Sequence, residues 1–443
     1  MQNQGIRDAR SLGTPKLLVL GLQHMFAMFG ATVLVPALTG LSVSATLLFA
    51  GLGTLFFHFL TKGKVPAFLG SSFAYLAGYA AIAPNGEAAL LPYACVGVAA
   101  SGLLYLILAA LVRGFGANRV MRFFPPVVTG PIIICIGMTL ANSAINNCTG
   151  SWDIALVAIL TVVIFNIWGK GMLRIIPILL GVLVSYVYAA VTGRVDFSGV
   201  ASAAWIGLPV KMENTVFSLI GNCDANLLVT AIIAIMPIAF ATMIEHIGDI
   251  CAISSTVGAN FIADPGLYRT LLGDGLATSI ASLFGAPANT TYGENTGVLA
   301  LTRVYDPLVI RLAAVYAIIA SFCPKFAALV SAMPTGTIGG VSLILYGMIS
   351  AIGVRNLVEN RVDLAKSRNV IVVSLIISLA LGITFSTAGA ITFHVGEFTL
   401  NFSGLAVAAI VGIVVNAILP GKDYNFQNDY EYGKTTEDHG QML

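Results

Sequence analysis

The chain alternates long apolar runs with short polar joints. Leu17 to Ala37, Ala89 to Val112, Ala155 to Trp168, Ile175 to Ala190, Leu227 to Ile244 and Val370 to Phe385 approach or reach the roughly 20 residues a helix needs to cross a bilayer. With shorter and tilted pieces included, the pattern predicts about fourteen crossings. Two stretches interrupt it. Pro66 to Tyr75 (P-A-F-L-G-S-S-F-A-Y) and Asn289 to Gly297 (N-T-T-Y-G-E-N-T-G) are runs of small and hydroxylated residues inside oily sequence. Non-helical backbone is tolerated at membrane depth only where it is buried in protein or lines a cavity. The first break falls in the third apolar segment and the second in about the tenth, the third of a second set of seven. A repeat of seven spans enters the membrane from opposite sides, so the spacing predicts two inverted repeats with a binding site where the interrupted segments meet. Glycine and serine also serve plain helix packing, but two breaks in register, one carrying a carboxylate, favour a site.

Composition sharpens this reading. Of 443 residues 57% are hydrophobic and 9% charged, against about 25% charged in a soluble domain. The expectation is an all-α polytopic membrane protein embedded in a lipid bilayer, with no soluble domain. The longest polar stretches are a head (1–16), a segment near Gly193 to Ala225, and a tail (421–443), and both ends are expected to be mobile. A net charge of +2 gives no reason to expect nucleic acid as a partner. With the N-terminus in the cytoplasm, only Arg194, Lys211 and Lys325 among the basic residues fall outside, so the positive-inside rule places both termini in the cytoplasm. The first apolar run lacks a small-residue cleavage site and reads as a first span. Six scattered cysteines show no metal-ligand spacing and read as packing residues; no metal or other cofactor is expected.

Most carboxylates fall in predicted loops. Glu245, Asp249, Asp274 and Glu294 do not, and a carboxylate near the bilayer centre costs at least about 2.5 kcal/mol, which usually marks a substrate or ion path. Glu245 and Asp249 in M-I-E-H-I-G-D-I-C are spaced i, i+4 and share a helix face. Burial penalises a charged carboxylate, and a like charge nearby penalises it further, so Glu245 is the candidate for holding the coupling proton, with Asp249 orienting it or sharing the task. His246 points about 100° away and reads as a packing or helix–helix residue. Asp274, between Gly273 and Gly275, is expected near the start of its helix in a capping role. Glu294 is expected in the first turn of a half-helix, where free N–H groups accept carbonyl oxygens and the carboxylate accepts a ligand N–H. Such a site suits a flat ring with alternating N–H and C=O groups. Phe73, Tyr75 and Tyr292 offer aromatic faces for it, Phe73 first among them.

From Glu294 the sequence reads E-N-T-G-V-L-A-L-T-R to Arg303, which resembles the signature of the nucleobase-ascorbate transporter family. Gln23-His24-x-x-Ala27-Met28-x-Gly30-Ala31, Gly70-Ser71-Ser72-Phe73, Glu245-His246-x-Gly248 and Leu345-Tyr346-Gly347 extend the likeness from Leu17 to about Pro420. The resemblance implies fourteen spans in two inverted seven-span repeats, with short strands in spans three and ten. It implies a core domain (17–113 and 226–330) and a gate domain (114–225 and 331–420), between an N-terminal tail (1–16) and a C-terminal tail (421–443). It also implies substrate contacts at Phe73, Glu245, Tyr292, Gly293 and Glu294. Proton coupling would run through Glu245, Asp249, Glu294 and Tyr346, with the proton as coupling ion. A homodimer through gate domains is compatible with it, as is a place in the plasma (inner) membrane. Glutamate as the first signature residue points to uracil, glutamine to xanthine or urate, and proline to ascorbate. Asp249 departs from the histidine frequent in uracil carriers and keeps a xanthine-type purine as the alternative substrate. Anion exchange on the same fold is disfavoured because the break carries no basic side chain before Arg303. An intramembrane aspartyl protease would need G-x-G-D, and position 271 is Leu.

Overall fold

In a computed structural model, residues 5–395 and 398–422 are described. Residues 1–4 of the expected N-terminal tail and 423–443 of the expected C-terminal tail lie outside them. Among the described residues seven helices are long and apolar enough to cross a membrane, eight if one bent pair counts as a single span.

The first half opens with α1 (Thr14–Thr39), which starts on Pro15 and stops where Gly40 takes φ 79° and returns its N–H to the Pro36 carbonyl. α2 (Val43–Leu60) begins where the Ser42 hydroxyl accepts from the Ala45 N–H. The chain then runs as strand β1 (Leu69–Ser71) and turns into the short α3 (Leu76–Ile82) before α4 (Leu91–Phe115). After α5 (Ala117–Met121) come α6 (Pro126–Cys148), α7 (Trp152–Trp168), α8 (Met172–Ile175), α9 (Pro177–Val191) and α10 (Ser198–Ser202).

The second half starts with α11 (Ala225–Ile235), capped by the Asp224 carboxylate, and breaks at Met236-Pro237-Ile238, where proline removes a helix donor, before α12 (Ala239–Val257). α13 (Leu267–Leu283) is followed by strand β2 (Asn289–Thr291) and the half-length α14 (Gly293–Thr302). α15 (Pro307–Ser321) and α16 (Pro324–Ser331) meet at 88°. α17 (Thr335–Glu359), α18 (Ser367–Thr384), the hairpin strands β3 (Ala390–Val395) and β4 (Phe398–Ser403), and α19 (Gly404–Ile418) complete the chain.

The helices pack in two sets. α4 lies along α13, and α2 along α15 and α13; α6 lies along α17 and α18, and α7 along α9 and α17. The two hydropathy breaks meet in the first set, where β1 and β2 pair antiparallel with Gly70 opposite Thr290. Ser72 N–H to the Ala288 carbonyl (2.8 Å) and Tyr292 N–H to the Phe68 carbonyl (3.0 Å) lengthen the ladder. Side chains satisfy its outer edges. Leu69 N–H donates to Thr54 Oγ1 of α2 (2.9 Å), and Thr278 of α13 donates to the Asn289 carbonyl (2.9 Å). These side-chain contacts help three-residue strands survive inside an apolar interior, where an unpaired backbone group is costly. Gly70 is required: a Cβ would stand 2.4 Å from Cζ of the Tyr292 ring.

Three expectations change. The head is docked from Ile6 onward: its N–H donates to the Arg303 carbonyl (2.8 Å), Tyr305 N–H returns to Ile6 (2.8 Å), and the Asp306 carboxylate accepts from Ala9 N–H (2.8 Å). Asp274 is not in a first helical turn. It stands mid-α13 and fully buried, because Gly273 lies against Phe57 of α2 and Gly275 against Tyr105 of α4, so the flanking glycines draw the helix inward. A second strand pair, outside the two strands expected in an otherwise all-α fold, precedes α19, where A-I-T-F-H-V and F-T-L-N-F-S alternate with the period of a strand.

Candidate substrate site

The acidic residues are gathered by the strand pair. α12 and α14 pack against each other, the first carrying Glu245 and Asp249 one turn apart and the second carrying Glu294 in its first turn. Thr291, the last residue of β2, donates its hydroxyl to Asp249 Oδ2 at 2.7 Å and so ties α12 to the break. Glu245, Asp249 and Glu294 are half-buried, while His246 and Ile250, each one residue further round α12, are buried. The three carboxylates are thus partly exposed where α12 packs against α14. Gly248, Gly293, Gly297 and Gly347 have open space where a Cβ would be; Gly248 and Gly293 adjoin Asp249 and Glu294 in sequence, and Gly297 is three residues past Glu294.

Glu294 borders a cavity of ≈ 430 Å³, with Ala27 of α1 and Gly297 of α14 on one side and Arg174, Ile178 and Met348 from α8, α9 and α17 on the other. The opening thus lies between the two helix sets. No side chain caps α14, so the N–H groups of its first turn remain donors for a ligand. Asn295 anchors the same turn by donating to the His24 carbonyl of α1 (3.1 Å), with His24 Nδ1 at 3.2 Å.

The aromatic candidates separate by position. Phe73 follows β1 and meets Tyr346 of α17 edge-on, ring centroids 5.9 Å apart, so this contact joins the two sets. Tyr346 is buried. Tyr292 is buried too, and its ring lies on Gly70 with the hydroxyl donating to the Ser71 carbonyl (2.9 Å) and near Thr32 Oγ1 (3.3 Å). Its side chain clamps β1 to α1 beneath the site. Tyr75 is buried against Thr242, hydroxyl to hydroxyl at 3.3 Å.

A second polar group lies behind the first. His246 Nδ1 is 3.2 Å from Asp274 Oδ2, both side chains fully buried, in ion-pair range though not aligned as a hydrogen bond. The edges of Phe57 and Tyr105 close around the imidazole at 6.3 and 6.5 Å. Sequence reasoning missed this pairing, for which Gly-Asp-Gly was the available signal: glycines on both sides of an acid mark close backbone approach as well as a helix start. Arg174 was also missed, since the short helix α8 that carries it shows no pattern. Among the described residues no group of His, Cys, Asp and Glu could hold a metal ion.

A family model described as "Permease family" (Xan_ur_permease) matches residues 15–389. The chain is similar to the uracil permease of Bacillus caldolyticus, 42% identical over 437 residues and covering 96% of each chain. It is also similar to the uracil permease of Bacillus subtilis (strain 168), 40% identical over 453 residues, covering 99% of this chain and 98% of the relative. Among solved structures, the transmembrane domain of a cyanobacterium bicarbonate transporter, BicA, superposes with a TM-score of 0.63 at 13% identity, covering 94% of this chain and 100% of that one. That last likeness shows a shared fold alone.

Proposed function

The chain belongs to the permease family whose model it matches, a family of transporters and not of enzymes, and from that premise we propose that it takes up uracil together with protons by alternating access. The observation that carries this reading is the gathering of Glu245 and Glu294 around an uncapped helix start, between two packed helix sets. A uracil ring has two N–H donors and two carbonyl acceptors. Its N–H groups donate to the carboxylates of Glu245 and Glu294, its carbonyls accept from the backbone N–H groups of Phe73 and Gly293, and the Phe73 ring covers one face. The near-full-length similarity to uracil permeases supports the choice of base.

In this reading the fourteen spans form two inverted repeats, with both termini cytoplasmic and the protein in the plasma membrane. The core domain (17–113 and 226–330) moves the site past a gate domain (114–225 and 331–420), which also supplies the face for a homodimer. The proton is held by Glu245, with Asp249, Glu294 and Tyr346 as partners, and no other cofactor takes part. Tyr346 packs on Phe73 across the two sets, so it is placed to sense whether the base is bound. Uptake of labelled uracil into cells lacking their own carrier tests the reading, with xanthine as competitor. A protonophore is expected to abolish accumulation, and Glu245→Gln to lose it. Full-rate uptake by Glu245→Gln would refute the coupling role, and competition by xanthine at equal concentration would refute the pyrimidine assignment.

A further inference from the structure

Away from the candidate site, a groove of ≈ 490 Å³ runs between α4, α12 and α19. Leu108 and Phe115 of α4, Phe240 of α12 and Ile413 of α19 line it, and at its mouth stand Arg119 and Arg122. These arginines are three residues apart across the end of α5, so they project from neighbouring positions on one face. Both are exposed, and among the described residues neither has a carboxylate within ion-pair distance, whereas the exposed Lys64, Arg194 and Arg355 each do. Arg122 also rests on the Phe123 ring at 5.2 Å, which keeps its cation beside the groove.

Two chemistries meet there. An apolar groove by itself accepts any acyl chain, and a pair of cations by itself accepts any phosphate. Together they fit a molecule with a tail and an anionic head. The topology proposed above puts this end of α4 at the cytoplasmic leaflet, where basic pockets between transmembrane helices meet anionic headgroups. We propose that the groove binds one anionic phospholipid, with an acyl chain along α4 and α12 and the phosphate between Arg119 and Arg122.

Native mass spectrometry of the full chain in detergent tests this, titrating phosphatidylglycerol against the wild type and three variants. Each arginine near an anionic lipid is worth roughly fivefold in affinity, so Arg119→Ala with Arg122→Ala should weaken binding about 25-fold. The double Arg→Lys variant should keep most of it, and Leu111→Trp, which fills the groove, should lose it with both arginines intact. Phosphatidylcholine and glycerol phosphate should fail to displace the bound lipid. Unchanged binding in the double alanine variant would overturn the proposal, as would unchanged binding in Leu111→Trp. Equal competition by phosphatidylcholine would show a nonselective acyl groove, and displacement by glycerol phosphate a free-anion site; either overturns it too. The Trp variant leaves the charged residues in place, so it decides the matter even if the alanine pair does not fold.

Discussion

Two adjacent threonines of β2 provide a controlled comparison. The Thr291 hydroxyl donates to Asp249 at 2.7 Å, while the Thr290 hydroxyl, equally buried, has no hydrogen-bond partner among the described residues. Threonine to valine keeps the shape and removes only the O–H. At 291 this strips a donor from a half-buried carboxylate, a loss of about 1.5–3 kcal/mol. At 290 it removes a buried polar group that gains nothing from the fold, so the change is expected to be neutral or to stabilise by roughly 1 kcal/mol. Because the 291 bond fixes β2 and the start of α14 against α12, part of its loss should appear in binding. If about half of it does, then at about 1.4 kcal/mol per tenfold uracil affinity should fall roughly 3- to 12-fold for Thr291→Val and stay within about twofold for Thr290→Val. Scintillation proximity binding of labelled uracil to purified protein gives the affinities, and thermal unfolding in detergent gives the order of stability. Equal affinities and equal Tm in the two variants would refute the assignment of the Thr291–Asp249 bond as what holds the site together.

Gly70→Ala drives a methyl into the Tyr292 ring and should cost about 1–3 kcal/mol as an overpacked contact, read as a lower Tm and lost uptake; an unchanged Tm would mean the ring can move aside. Removing one partner of the buried His246–Asp274 pair by Asp274→Leu should destabilise by about 3–5 kcal/mol, whereas Asp274→Leu with His246→Leu should recover much of it, so a thermal-melt double-mutant cycle showing no coupling would argue against the pairing. Glu294→Gln replaces a charged acceptor by a neutral one and one of its two oxygens by a donor, and should weaken uracil binding by about tenfold, checked by equilibrium binding at fixed pH; unaltered affinity would remove Glu294 from the site.

How much of this was legible depended on whether the signal was local. The breaks at Pro66–Tyr75 and Asn289–Gly297 were readable because small polar residues in an apolar run have few uses at membrane depth, and the Glu245–Asp249 face followed from helical geometry. Glu294 in a first turn followed from the glycine before it. Side-chain direction was not readable in the same way. Tyr292 stands next to Glu294 in sequence, yet its ring turns inward because it emerges from extended backbone just before the helix starts, over a glycine that leaves room for it. Asp274 was misplaced because a helix start and a close helix crossing both select glycine. The hairpin at 390–403 was overlooked because its alternation is hidden among apolar runs, although the period of two is present in the letters.

The strand pair also has a consequence for biosynthesis. β1 ends at Ser71 and its partner begins at Asn289, so roughly 220 residues separate the two halves of one hydrogen-bonded unit, about 10–45 s of ribosome time. Through that interval Leu69–Ser71 has its Thr54 contact but not its ladder. Until the second half is inserted, the ladder donors and acceptors of Leu69–Ser71 have to be met by other groups. A chain cut short anywhere in that window keeps β1 without its partner strand, so the site cannot assemble from the first half alone.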